Sequence, residues 1–300
     1  MRPFSAAILC LVLAGCQAKK SASLHIDPTL ESLVPADTVI VAGANLDAIR
    51  QASVYQKLLA RLPLPQLEEF SRQTGLDPRK DLSDALFCWD GKHGLFLARG
   101  KFRPADLEAR LKTNGATQFG YKKYRLFGNE QSAIVFLNDS IVLAGPANDL
   151  RSVIDRGQST PGLPPALAEL VRTLPGNDQI YAALIGGLEG VDLVVPKTGV
   201  FGNLVQVLQA VDSAALGMDL SKGIDAIVRV NSKTERDAKF VHDMVKGLVG
   251  FGRLNAPANQ PELLKLYDAI QVTQQQMLTV IRANIPADQT DRFLDLLQKR

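Results

Sequence analysis

The residues of this 300-residue chain best suited to chemistry are its cysteines and histidines, which number three each. Cys88 precedes His93 by five positions, and a thiol beside an imidazole is the pattern of a cysteine nucleophile with its base. The intervening WDGK predicts a hairpin turn with Cys88 opposite Leu95 and His93 on the diagonal, about 7–8 Å from the thiol. That separation exceeds hydrogen-bond length. The alternative is a thiol buried between Phe87 and Trp89, with His93 in a solvated turn.

A second cysteine, Cys16, ends an apolar stretch near the amino terminus. Residues 1–15 have the layout of a secretory signal, with Arg2 as the positive end and the uncharged run AAILCLVLA behind it. That run is too short for a bilayer core, which needs roughly 20 apolar residues. The four residues LAGC, ending at Cys16, resemble the lipobox of bacterial lipoproteins. The resemblance implies a cleaved signal and acyl chains on Cys16; the alternative is an ordinary signal peptide with a chance cysteine.

Acylation at Cys16 would decide where the protein is found. Each buried acyl methylene contributes about 0.8 kcal/mol, so the two or three chains of a lipoprotein cysteine hold the chain firmly to a membrane. We expect residues 16–35 to be this lipidated cysteine and a flexible tether. Gln17 occupies the position after the cysteine, where Asp would favour the inner membrane, so the sorting rule of Gram-negative lipoproteins favours the outer membrane, facing the periplasm.

Composition excludes some classes of partner. The formal net charge is +3, and one less once Arg2 leaves with the signal, which is too little for an electrostatic nucleic-acid binder. Cys10 also leaves with the signal, and acylation uses Cys16. Cys88 alone then remains, so no intramolecular disulfide is expected.

The usual motifs of catalysis are missing from the sequence. It contains no phosphate-binding G-x-x-x-x-G-K-[ST], no G-x-G-x-x-G, no G-x-S-x-G and no S-x-x-K. His25, His93 and His242 are far apart in sequence, so neither a metal site nor a cofactor is expected. The sequence therefore favours a non-enzymatic binding or structural module. The alternative is an enzyme with an unfamiliar site, such as a thiol hydrolase using Cys88.

The predicted elements that would position these residues occur in one order twice. TVIVAGA, from Thr38, and QIYAALI, from Gln179, each read as a buried strand and are followed by helix, hairpin, helix, strand and helix. We expect an α+β protein with units at 36–157 and 178–300 joined by 158–177. Each unit would have the ferredoxin-like order, with helices on one face of an antiparallel sheet. The residues expected in the cores are Val41, Ile134, Val142, Ile180, Val228, Val241 and Leu297.

Two further stretches have the composition of a binding surface. Residues 121–125 (YKKYR) combine aromatic and basic groups that could hold an anionic lipid or glycan, although the alternation of a half-exposed strand explains them as well. The Gly-punctuated apolar segment Ile185 to Leu204 is longer than an ordinary connection. It would line a groove, touch a membrane or partner, or lie buried on the sheet. Residues 121–125 are expected within one strand, Phe119 to Phe127, and Gln271 to Ile285 is expected to be another strand.

The chain as a whole resembles uncharacterised lipoproteins of the acidobacterial type. The resemblance is carried by LAGC, LVPADTVIVAG, GLDPRKDL, PANQPELLKLYDAIQVT and IPADQTDRFLDL. Together with the missing catalytic motifs, the signal predicts an envelope lipoprotein that binds another protein, a lipid or a wall component in the groove between its two units, whereas the resemblance adds nothing on function. It implies no activity and no site residue.

Overall fold

The structure is a computed structural model that describes residues 22–61, 65–157, 162–186, 209–257, 260–290 and 292. Its strands are β1 Ile40–Asn45, β2 Leu82–Trp89, β3 Gly94–Gly100, β4 Gln118–Tyr121, β5 Tyr124–Gly128, β6 Ala133–Asn138, β7 Ile141–Gly145, β8 Ile180–Ile185, β9 Val211–Asp219, β10 Gly223–Ser232, β11 Ile270–Gln275 and β12 Leu278–Pro286. Its helices are α1 Pro28–Leu33, α2 Leu46–Gln51, α3 Ser53–Arg61, α4 Pro65–Thr74, α5 Pro78–Asp81, α6 Pro104–Thr113, α7 Ala147–Arg156, α8 Pro165–Arg172, α9 Glu235–Leu254 and α10 Pro261–Asp268.

All twelve strands belong to one sheet, in the order β11-β12-β10-β9-β8-β1-β2-β3-β7-β6-β5-β4. Neighbouring strands are antiparallel throughout. The prediction of an α+β protein with an antiparallel sheet is confirmed. The ferredoxin-like order is not, because β1 and β2, which flank the first helices, are direct neighbours in the sheet. The two predicted units also share their sheet, since β1 pairs with β8 at its centre.

Helices pack on both faces of the sheet rather than on one. On the first face, Val41, Leu86, Leu97 and Leu143 are fully buried beneath α1, α7, α8 and the segment that precedes α1. On the second face, α6 packs on the β3–β7–β6–β5 region and α9 on β10, β11 and β12, around Ala98, Phe127, Val142, Val230 and Val241. Side chains of β2 alternate between the two faces: Leu86 and Cys88 are buried on the first face, whereas Phe87, on the second face, is 42% exposed.

The expected core residues divide into three groups. Val41, Val142 and Val241 are buried, as expected. Ile134, Ile180 and Val228 are half-buried because they point to the second face, where helices cover less of the sheet. Leu297 lies outside the described residues.

Two stretches expected as single strands are hairpins instead. Phe119 to Phe127 is divided between β4 and β5 by a two-residue loop at Lys122, and Gln271 to Ile285 is divided between β11 and β12 at Gln276. Lys122 and Gln276 have φ angles of 51° and 52°, and positive φ is what a tight two-residue hairpin loop requires. Neither loop contains the Gly or Asn that usually marks such a turn. The sequence of each hairpin therefore reads as one continuous strand.

The segment 22–34, called the strap below, is packed and not a free tether. Leu24, Ile26, Leu30 and Leu33 are each at most 4% exposed, and the Leu24 N–H donates to the Leu174 carbonyl at 3.0 Å. Residues 22–34 of the tether predicted over 16–35 are therefore not flexible, because four of their apolar side chains leave water. None of the helices in the described ranges is long and apolar enough to cross a membrane.

The centre of the sheet depends on a glycine. Tyr181 of β8 lies opposite Gly43 of β1, and its ring crosses the space above that residue. A Cβ at position 43 would lie 2.3 Å from the Tyr181 ring, which is closer than any non-bonded contact permits. The ring of Tyr181 is itself buried, so it has no open space to move into.

We therefore predict that Gly43→Ala lowers the free energy of unfolding by about 1–3 kcal/mol through overpacking. Gly247→Ala on α9 is the matched control, because no atom lies within 4 Å of a Cβ there. The control should raise helix stability by about 0.5–1 kcal/mol. Urea denaturation of both variants measures the difference, and equal stabilities would contradict this account of the β1–β8 centre.

Candidate functional site

A cavity of about 400 Å³ opens on the first face, beside the β2–β3 hairpin. Cys88 and Leu95, opposite one another on β2 and β3, form its floor. Ser152, Val153 and Arg156 of α7 form one wall. The chain between α1 and β1, residues 35–38, forms the other. We call this space the Cys88 cavity.

The hairpin turn carries His93 to the mouth of the Cys88 cavity. The Asp90 carboxylate Oδ1 accepts hydrogen bonds from the backbone N–H groups of Lys92 and His93, at 2.7 and 2.6 Å. Gly91 supplies the positive φ, 102°, that this turn needs. The predicted register, with Cys88 opposite Leu95, is confirmed.

Two carboxylates hold the imidazole of His93. Its Nδ1 lies 3.7 Å from Asp90 Oδ2 and 3.7 Å from Asp149 Oδ2. Partial burial acts to raise the pKa of Asp90, but the backbone hydrogen bonds from His93 and Lys92 outweigh it and the pKa is lowered. Burial raises the pKa of Asp149, and repulsion from Asp90 and Asp37 adds to the effect. The rim of the cavity is therefore acidic.

The thiol of Cys88 is unsuited to nucleophilic attack. The residue is 2% exposed, and burial raises the pKa of its thiol to about 12, while the Thr38 hydroxyl and Arg156 lower it only in part. Only the thiolate is a competent nucleophile, so at neutral pH this thiol is inert. Among the described residues no hydrogen bond joins Cys88 to His93. The structure thus brings both to one cavity without forming a nucleophile–base pair.

Arg156 is the cation inside the Cys88 cavity. Its Nη2 donates to the Leu33 carbonyl at 2.7 Å, which ties the end of α7 to the strap. Burial lowers the pKa of Arg156, and attraction to Asp37 opposes that shift. Asp37, Asp149 and Arg156 did not emerge from the sequence as site residues. Asp149 and Arg156 share α7, whereas Asp37 precedes β1, and only the packing of α7 brings them together.

The Cys88 cavity is equipped to bind rather than to react. Its floor is apolar, its rim carries the three carboxylates of Asp37, Asp90 and Asp149, and Arg156 lies within. In the part of the chain that the structure describes, no three histidine, cysteine, aspartate or glutamate side chains are grouped to hold a metal ion. An apolar base with a few converging polar groups is the usual form of a small-molecule site.

The basic hairpin considered as an anion site is already occupied by acidic partners. Lys122 pairs with Asp155 at 2.5 Å, and Arg125 pairs with Glu108 at 2.6 Å. The Tyr121 hydroxyl donates to the same Asp155 carboxylate. These pairings favour the simpler interpretation, a half-exposed hairpin with snorkelling cations.

Two predicted features fall outside the described residues. Cys16, the expected lipidation site, is one of them. Of the segment Ile185 to Leu204, the structure describes only Ile185 and Gly186. His25 and His242 lie far from the cavity lining and bind locally, to the Ser23 carbonyl and the Asp243 carboxylate.

Comparison with known proteins yields a likeness of fold alone. No protein-family model matches the chain, and no curated protein does. The solved structure of crystal form IV of TP0453 is similar, with a TM-score of 0.52 at 9% identity over 91% of this chain and 97% of that one. Crystal form III of TP0453 gives a TM-score of 0.50 at 10% identity over 92% and 99%. At such low identity the likeness carries no information on site residues.

The burial of the Cys88 thiol predicts that it is alkylated slowly in the native protein. At mildly alkaline pH we expect iodoacetamide to modify Cys88 at least about a hundredfold more slowly in the folded chain than in urea, because the thiolate is suppressed and shielded. Mass spectrometry of the Cys88 peptide measures both rates. Equal rates would mean that the thiol is accessible and ionised, and the enzymatic alternative would regain its basis.

Proposed function

We propose that the mature protein is a cell-envelope lipoprotein that acts as a non-enzymatic binding module, with the Cys88 cavity as its ligand site. The observation that carries the proposal is the cavity itself, which is apolar at the base and charged at the rim. The Cys88 thiol at its base is buried, and burial raises the pKa of that thiol to about 12. A thiol hydrolase needs a thiolate held by its base, and neither condition is met at Cys88.

Anchoring rests on the sequence. LAGC follows an apolar run of the right length, and the resemblance to lipoproteins extends over the chain. On this proposal the acyl chains of Cys16 enter a membrane, which the residue after the cysteine suggests is the outer one, on its periplasmic side. The near-neutral net charge excludes nucleic acid as a partner and leaves an envelope protein, a lipid or a wall component.

The position of the cavity refines the class of ligand. The binding groove was expected between two units, whereas the Cys88 cavity lies wholly within the first half of the sheet. A volume of about 400 Å³ fits a small molecule or one side chain of a larger partner. The acidic rim favours a ligand whose exposed end is a cation.

We also propose that the two halves descend from one duplicated unit. From the centre outwards, β1-β2-β3-β7-β6 matches β8-β9-β10-β12-β11, with α6 and α9 in corresponding places. The β4–β5 hairpin is then an addition to the first half. Superposition of the two sets of five strands with one common order tests this origin.

Replacing the lipobox cysteine tests the anchor. In the native host, Cys16→Ala should abolish labelling by a palmitate analogue and release the protein from the membrane fraction, because no thiol remains at the processing site. Cys10→Ala, within the same apolar run, is the control and should label normally. Membrane partitioning and labelling of Cys16→Ala at the level of the control would refute lipidation at this residue.

Filling the cavity tests the binding site. Ser152 lines the cavity from the exposed side of α7, so Ser152→Trp should block ligand entry and reproduce the defect of a deletion strain under envelope stress. Asn148→Trp, one turn earlier and outside the lining, is the control. Cys88→Ser should complement the deletion, because the thiol contributes packing only.

Protein levels must be normal in each strain. Loss of function in Cys88→Ser alone would assign the thiol a chemical role, and full function in Ser152→Trp would remove the cavity from consideration.

A further inference from the structure

A second recess lies on the same face of the sheet, in the other half of the molecule. Its volume is about 440 Å³, and β10, β11, β12 and the residue two before β8 line it. We call it the polar groove, and the side chains that matter to it are Asp178, Asp225, Gln271, Arg282 and Asn284. In the sheet register, Asp225 lies opposite Asn284, and Arg282 lies between Ile227 and Gln271.

Asp178 is a buried acid without a compensating partner. It is 7% exposed, and its Oδ2 is inaccessible to solvent and accepts no hydrogen bond. Gly217 makes room for this carboxylate, because a Cβ at that position would lie 1.9 Å from Oδ2. A buried carboxylate oxygen without a hydrogen bond lowers the stability of the fold, so its presence beside a recess is an indication of a binding site.

Neighbouring charges increase the cost. Burial, together with repulsion from Asp219 and Asp225, raises the pKa of Asp178 to about 6. Asp219 is itself satisfied, since Asn177, Gln179 and Ser221 all donate to it. Asp225 has no such donors among the described residues, so it faces the groove with its charge available.

The cation of the groove is Arg282, whose side chain is exposed to solvent. No carboxylate in the described ranges lies within ion-pair distance of Arg282. Arg282 and Asp225 sit on one face as diagonal neighbours on adjacent strands, about 7–8 Å apart at their backbones. The Asp225 carboxylate and the Arg282 guanidinium thus belong to one face of the sheet without forming an ion pair with each other.

We propose that the polar groove binds a free amino acid as its zwitterion. The ammonium would donate to the Asp225 carboxylate and to Asp178 Oδ1, the oxygen of that carboxylate that is not buried out of reach, and the ligand's carboxylate would accept a bidentate pair from Arg282. An amino acid carries its ammonium and its carboxylate on one carbon, so it can bridge an acid and an arginine on adjacent strands with a hydrogen bond at each end. The amides of Gln271 and Asn284 can donate to or accept from the ligand, and Ile227 and Ala269 offer an apolar surface to its side chain.

The test is isothermal titration calorimetry of the full chain in detergent. L-Alanine should bind, whereas ethylamine and propionate, which each keep one of its two charges, should bind at least about tenfold more weakly. D-Alanine and dialanine distinguish a stereospecific amino-acid site from one for peptide ends. Tighter binding of dialanine than of either alanine would overturn the free amino acid as the ligand.

Substitutions identify the groove as the place of binding. Asp178→Asn and Arg282→Gln should each weaken L-alanine about 10- to 100-fold, the effect of losing one charge-assisted hydrogen bond. Arg229→Gln is the matched control, on β10 and the same face but outside the groove lining. No heat from L-alanine at millimolar concentration, or equal affinities in all three variants, overturns the proposal.

A stability measurement separates binding from folding. Because the pKa of Asp178 is raised to about 6 in the folded chain, folded protein holds a proton that the unfolded chain releases near its ordinary pKa of about 3.9. Stability from this group is therefore present at low pH and falls as the pH rises from about 4 to about 6. Asp178→Asn should remove that fall and raise the melting temperature at neutral pH by a few degrees. Weakened binding by a variant that melts higher cannot come from unfolding.

Discussion

The pairing of β1 with β8 is the constraint on which the rest of the molecule depends. These strands are far apart along the chain, yet their register from Ile40↔Leu184 to Ala44↔Ile180 makes two sets of strands into one sheet. Small side chains and Gly43 let Tyr181 lie flat across the join. Because side chains alternate between faces, this register also fixes which residues of both halves share the first face. Cys88 and Asp225 lie on that face for this reason, and so do both recesses.

The charged groups of the two recesses differ in how far the surrounding chain supplies their hydrogen bonds. At the Cys88 cavity, Arg156 donates to a backbone carbonyl and the Asp90 carboxylate accepts backbone N–H groups, so its charges are held by the fold. In the polar groove, the buried Asp178 Oδ2 accepts no hydrogen bond, and the exposed Arg282 has no carboxylate of the described residues within ion-pair distance. A preorganised site of the first kind binds at little cost in reorganisation, whereas one of the second kind gains stability when a ligand arrives.

The sequence predicted local structure well and long-range assembly poorly. WDGK marked a hairpin, and β-branched apolar runs marked β1 and β8, because turn chemistry and periodicity are local signals. Lys122 and Gln276 adopt positive φ without a glycine, so nothing local announced their turns. The position of β8 beside β1, and of Asp149 near His93, follows from packing across more than fifty residues, which periodicity does not encode. Asp178 was missed because an isolated aspartate before a strand reads as an ordinary cap or turn residue.

The strap has a consequence for geometry at a membrane. Its first buried side chain, Leu24, is eight residues beyond Cys16. At about 3.5 Å per extended residue this leash reaches roughly 28 Å, close to the thickness of a single bilayer core. An acylated chain would therefore be confined to a thin layer at the bilayer surface and would meet its partners by two-dimensional diffusion. Binding surfaces that lie further from the membrane than the leash plus the diameter of the folded body would be out of reach, however abundant their carriers are.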